Sequence, residues 1–149
     1  MSLGKKSRKA VNALREFIYE RDGGCVVAGS LWDMLKPCGG GLTIQHRVSR
    51  GMGGSALFDD PTFLVAMCAI HNQLETSWPE FAKACIRNGW KVPRWVPVSG
   101  RDVAQIPVLC EGEWYLLSGM RKVHIASPTA EQMIVDIYGG EFSHEEDAW

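Results

Sequence analysis

The chain lacks any run near the roughly 18 apolar residues that a membrane span needs, and its basic start leads into no apolar signal core. A cytoplasmic protein is the expectation. Internal repeats and low-complexity segments are missing too, and the net charge is only −1, so nothing marks the chain as fibrous or disordered. An even set of cysteines is also lacking. Five cysteines cannot all pair, and in a reducing compartment Cys25, Cys38 and Cys68, which lie near histidines in sequence, favour metal ligation over a disulfide framework. A length of 149 residues suits one compact domain with a small appendage.

What is present is unevenly placed. Residues 1–55 carry nine basic side chains against four acidic ones, whereas residues 141–149 hold four acids and no Lys or Arg. A basic half points to a polyanionic partner, nucleic acid first, with a merely solubilising asymmetry as the alternative. Lys5, Lys6, Arg8 and Lys9 fall in a polar, basic arm over residues 1–9. The spacing of Val11, Leu14, Phe17 and Ile18 predicts a helix over 10–21, stopped by Asp22-Gly23-Gly24. Residues 42–46 read as a short strand, 47–60 as a glycine-rich loop and 62–67 as the returning strand. A helix over 71–86 should kink or restart at Pro79, with Ser77 as a possible N-cap, and end at Asn88-Gly89. Beyond Trp90 the pattern predicts an extended segment over 91–97, a hairpin over 108–117 turning at Glu111-Gly112, and a helix over 128–138. The fold class is α+β, divided into the arm, a unit over 10–90 and an extension over 91–149 packed on it.

The stretch from Cys25 to Glu75 carries the chemistry. Cys25-x12-Cys38 and Cys68-x2-His71 supply three thiolates and one imidazole, the donor set that zinc takes in a closed tetrahedral site. A short hairpin with glycine-rich loops buries little apolar surface, so a structural ion would contribute much of its folding free energy. The alternative is three buried free thiols, which is the expectation for Cys85 and Cys110.

Between these ligands runs Leu42-Thr-Ile-Gln-His46-Arg-Val-Ser-Arg50-Gly-Met-Gly-Gly54. The order of two cysteines, a strand ending in His46-Arg47, Arg50-Gly-Met-Gly-Gly54, an apolar strand, Cys68-x2-His71-Asn72 and Glu75 resembles the HNH endonuclease family. It is similar in particular to the small HNH proteins of actinobacterial phages. The resemblance covers about residues 10–90, and the hairpin after Gly89-Trp90 is similar to the C-terminal extension of those proteins.

That resemblance implies a zinc-stabilised ββα-metal core that hydrolyses DNA phosphodiesters with one divalent cation, Mg²⁺ or Mn²⁺. His46 would be the general base, and Gln45 and Asn72 would hold the cation, with His71 completing the zinc site; the alternative makes His71 the catalytic ligand and costs the zinc its fourth donor, so the first is preferred. Phosphodiester hydrolysis needs a deprotonated nucleophile and neutralised phosphoryl oxygens, which fits a histidine beside a hard divalent ion. Arg47 and Arg50 would clamp phosphates. The partners implied are DNA and other phage packaging proteins, in the host cytoplasm.

The chain departs from the family pattern at two places. Gln45 stands where Asp or His is usual, and Thr62-Phe63 stand where an Asn braces the loop. Asp59, Asp60 or Glu75 are candidates for the missing negative charge, and Glu75 is one helical turn from Asn72. The departures motivate a second expectation, a catalytically degenerate DNA-binding or packaging module, and behind it a protein–protein adaptor. Trp32 and Trp78 are read as packing rather than base-stacking residues, and Trp90, Trp95 and Trp114 as anchors of the extension. His124 and His144 have no metal-spaced partners.

Overall fold

A computed structural model describes residues 8–49 and 60–139. The expectations for Lys5 and Lys6, for Arg50 and the glycines after it, for Asp59 and for His144 lie outside the described residues. The protein is α+β, with a two-stranded and a three-stranded sheet.

Helix α1 (Arg8–Asp22) packs through Leu14, Phe17 and Ile18 on one face of strand β2 (Leu64–Cys68). Val11, expected on that face, is exposed. Strand β1 (Leu42–His46) pairs antiparallel with β2, setting Gln45 opposite Val65 and His46 opposite Leu64. All five β2 residues are buried, because its alternating side chains meet different partners. Leu64 and Ala66 face α1, whereas Val65 and Met67 enter the main core with Val26, Val27, Phe81 and Trp90.

A 3-10 turn over Pro61–Phe63 precedes β2, so that strand starts later than its apolar run suggested. Helix α3 (Ala69–Ser77) leaves β2 directly and contacts both strands, and α4 (Pro79–Arg87) restarts at Pro79. Trp78, not Ser77, is the shared cap, because Pro79 has no N–H to continue the first helix. A short helix α2 (Leu31–Leu35) follows Cys25.

Past Trp90 the chain forms helix α5 (Trp95–Val98) where an extended run was expected. Strands β3 (Val108–Cys110) and β4 (Glu113–Ser118) join through Glu111-Gly112, both at positive φ (50° and 81°), the two-residue turn that matches strand twist. Strand β5 (Arg121–Ile125) adds a third member, and α6 (Ser127–Tyr138) closes the order. Val108, Cys110 and Leu117 share the main core with Val26 and Phe81, so this sheet and the β1–β2 side bury apolar surface together. Trp90 and Trp114 are buried, whereas Trp95 is half exposed and meets Tyr138 edge-on.

One tie between the two halves runs through a buried polar side chain. Arg47 is fully buried and donates to the carbonyls of Gly89 (2.8 Å), Thr62 (2.9 Å) and Ile106 (2.9 Å). Gly89 also lets the chain at Pro107 pack against it: at φ +76°, a Cβ there would lie 1.8 Å from the Pro107 oxygen. Arg47 is therefore not a phosphate clamp. Its guanidinium is spent on backbone and closed to solvent.

Candidate metal centre and adjoining cleft

Four chain segments bring the donors together. Gly23 and Gly24, both at positive φ, turn the chain out of α1 into Cys25. Cys25 is then held against β2 by the Val26 N–H to Ala66 carbonyl bond (2.9 Å). Asp33 on α2 shapes the loop to Cys38, accepting from the N–H of Cys38 (3.0 Å) and of Gly29 (3.1 Å). Those two donors hold its carboxyl below the usual range. Cys68 ends β2 and caps α3, its Sγ accepting from the His71 N–H at 3.4 Å. The glycines after Cys38 then bring two carbonyls onto the first amides of α3: Ala69 donates to Gly41 (2.9 Å) and Ile70 to Gly39 (3.2 Å). Gly40 lies so close that a Cβ there would be 2.9 Å from the Ala69 Cβ.

The outcome is a cluster in which Sγ of Cys25, Cys38 and Cys68 and Nδ1 of His71 all lie within 4.8 Å of one another. From the imidazole nitrogen the sulfurs stand at 3.7, 3.6 and 3.1 Å. A tetrahedral zinc site, with Zn–S of about 2.3 Å and Zn–N of about 2.0 Å, places sulfur and nitrogen about 3.5 Å apart. The donor set therefore fits zinc in number, type and spacing. His71 is buried, and its Nε2 stands 2.6 Å from the Lys36 carbonyl, so the ring proton belongs there and Nδ1 keeps the lone pair. Burial pushes the Cys25 thiol up, and loss of water around Cys38, with Cys25 beside it, does the same there. Only a cation makes three thiolates in this volume favourable.

Trp32 meets Trp78 edge-on (5.1 Å between centroids) and Phe81 (5.4 Å), and Phe81 lies 5.6 Å from the His71 ring. These aromatics wall the metal centre from the core side. Cys85 and Cys110 are buried apart from the cluster, with thiols raised by burial.

One turn along α3, an open cleft of about 410 Å³ is lined by Gln45, His46, Asn72, Glu75 and Lys91, with Ile44, Ser49 and Thr76. The expected base and the expected cation ligands thus share one concavity. Asn72 Nδ2 donates to Thr43 Oγ1 (2.8 Å), which fixes the amide and leaves Oδ1 as its available ligand atom. Gln45 is buried at the cleft wall, and His46 is half-buried. Glu75 is buried, and its Oε1 stands 2.5 Å from Lys91 Nζ.

Other expected residues lie elsewhere. Asp60 accepts from the Thr62 N–H (2.9 Å) to cap the 3-10 turn and does not line the cleft. Thr62 is buried, and its hydroxyl accepts from the Gly119 N–H (2.6 Å), anchoring the β4–β5 turn. Arg8 and Lys9 are exposed on the first turn of α1. His124 pairs with Glu113 (2.7 Å) on the exposed sheet face. Sequence reasoning missed Asp33, the Lys36 carbonyl and Lys91. An acidic residue five positions before a ligand cysteine was the one available signal. Among the described residues no helix is long and apolar enough to cross a membrane. Comparison with models of known families, with curated proteins and with solved structures gives no match to this chain.

Proposed function

We propose that the protein is a metal-dependent DNA endonuclease of the HNH type, with a structural zinc on Cys25, Cys38, Cys68 and His71. The observation that carries this reading is convergence. The last residue of β1, His46, and two side chains one turn apart on α3, Asn72 and Glu75, line one cleft beside the Cys3His cluster.

The fit of the cleft residues to a hard divalent ion rests on oxygen donors. Gln45, Asn72 Oδ1 and the Glu75 carboxylate would hold Mg²⁺ or Mn²⁺, which take oxygen ligands. Bound there, the ion supplies charge neutralisation at the scissile phosphate. His46 accepts the proton of the attacking water, its place fixed by β1 pairing with the buried β2. The metal centre holds the start of α3 against the end of β2, which keeps Asn72 and Glu75 in register with His46. Arg8 and Lys9 add positive charge for the nucleic-acid backbone.

A second reading is a DNA-binding or packaging accessory protein without cleavage. It is favoured by a neutral Gln45 and by a Glu75 already paired with Lys91. Incubating supercoiled plasmid with the zinc-loaded protein in Mg²⁺, Mn²⁺ and Ni²⁺ separates the two. Nicking supports the nuclease; salt-dependent DNA retention without nicking in any of the three ions replaces it with the accessory reading.

A further inference from the structure

We infer that Lys91 is the cleft's own counter-cation: its ammonium holds Glu75 in the seat that a divalent ion takes, and ion and ammonium exchange there. The inference deepens the nuclease reading and takes from it a divalent ion and a phosphodiester as the cleft's ligands, but not cleavage.

Glu75 is 6% exposed, and a carboxylate so buried is costly unless a cation meets it. Lys91 meets it at 2.5 Å. Among the described residues lining the cleft, Lys91 is the only Lys or Arg, since Arg47 is turned inside. Its backbone is clamped. Trp90 and Val92 on either side are fully buried, the Lys91 N–H donates to the Cys85 carbonyl (3.0 Å), and Val92 N–H donates to the Arg47 carbonyl (2.6 Å). Through that last bond residue 91 is tied to the end of the strand that carries His46. The clamp aims a long side chain across the cleft at α3, while 31% of that side chain remains exposed.

An ammonium and a divalent ion on one carboxylate repel each other, and the buried position of Glu75 weakens the screening between them. An ion that takes Glu75 with Asn72 therefore displaces Lys91. The released ammonium, on a flexible four-carbon stem, is within reach of a phosphate lying across the cleft mouth. Linkage makes the effect reciprocal: a phosphodiester that captures the ammonium uncovers Glu75 and raises the affinity for the ion. Metal and nucleic acid then load the cleft together.

The test is Mn²⁺ titration of the zinc-loaded protein, read from the paramagnetic signal of free Mn²⁺. Lys91→Met, which keeps the stem and removes the charge, should bind Mn²⁺ roughly tenfold more tightly than wild type, within the usual range of coupling. Lys91→Arg should stay near wild type, and adding Glu75→Gln to Lys91→Met should abolish the gain. A Lys91→Met protein that binds Mn²⁺ no more tightly than wild type overturns the inference, as does a lack of saturable Mn²⁺ binding in all forms. A measurement needing no variant is the effect of a short DNA duplex on wild-type Mn²⁺ affinity: tightening supports the exchange and no change refutes it. Tightened Mn²⁺ binding without plasmid nicking would remove the nuclease reading and leave the exchange standing.

Discussion

Replacing Arg47 by methionine tests whether this residue serves the fold or the nucleic acid. The guanidinium is fully buried, no carboxylate accepts from it in its three bonds, and its acceptors are the carbonyls of Thr62, Gly89 and Ile106. Burial pulls its pKa down to about 10, which still leaves it charged at neutral pH. Methionine fills most of the volume but donates nothing, so three buried carbonyls each lose a charge-assisted bond. Each unsatisfied group costs about 1–3 kcal/mol, and removal of the guanidinium's own desolvation penalty offsets part of the sum. A net loss of about 3–5 kcal/mol follows, a large share of the roughly 5–15 kcal/mol of a typical domain. Lysine keeps the charge but cannot point three ways at once, so Arg47→Lys should lie between the two. Urea denaturation of the zinc-loaded proteins, followed by tryptophan fluorescence, measures the difference. A loss below about 1 kcal/mol in Arg47→Met would refute the anchoring role. Weaker DNA binding at unchanged stability would restore the phosphate clamp.

Other perturbations reach separate parts of the structure. His71→Ala removes the one nitrogen donor and should lower zinc content from about one ion per chain toward none, measured by mass spectrometry of the intact protein. Asp33→Asn leaves one of the Gly29 and Cys38 amides facing an NH₂ group; a colorimetric chelator should then strip zinc several-fold faster, roughly what one charge-assisted bond commands. Gly89→Ala forces a left-handed residue into the Pro107 carbonyl and should cost at least about 2 kcal/mol in the same urea assay, whereas Gly112→Ala, with open space around it, should cost only about 1 kcal/mol.

The Cys3His cluster was legible in the sequence because three thiols and an imidazole flanking glycines and a strand match the donor set of a zinc site. The two-residue turn at Glu111-Gly112 was legible through Gly112, whose φ of 81° suits glycine, whereas Glu111 at φ 50° is a side chain that seldom takes this conformation. Arg47 was not. An arginine next to a glycine-rich loop reads as exposed, and its burial depends on carbonyls 15, 42 and 59 residues away in sequence. The Lys91–Glu75 pair was hidden for the same reason, being a contact between α3 and a segment beyond α4. Strand β5, Arg-Lys-Val-His-Ile, offers only Val123 and Ile125 as alternating apolar residues, too short a run to announce a strand, and it is largely exposed. Its place comes from pairing with β4 rather than from its own pattern.

The most direct measurement is the plasmid-nicking rate of His46→Ala beside wild type, in the divalent ion that supports cleavage, with both proteins shown to hold equal zinc and to melt alike. Loss of a general base predicts a fall of at least about 100-fold in the variant. Nicking by His46→Ala at the wild-type rate would contradict the assignment of the cleft as the place where DNA is cut.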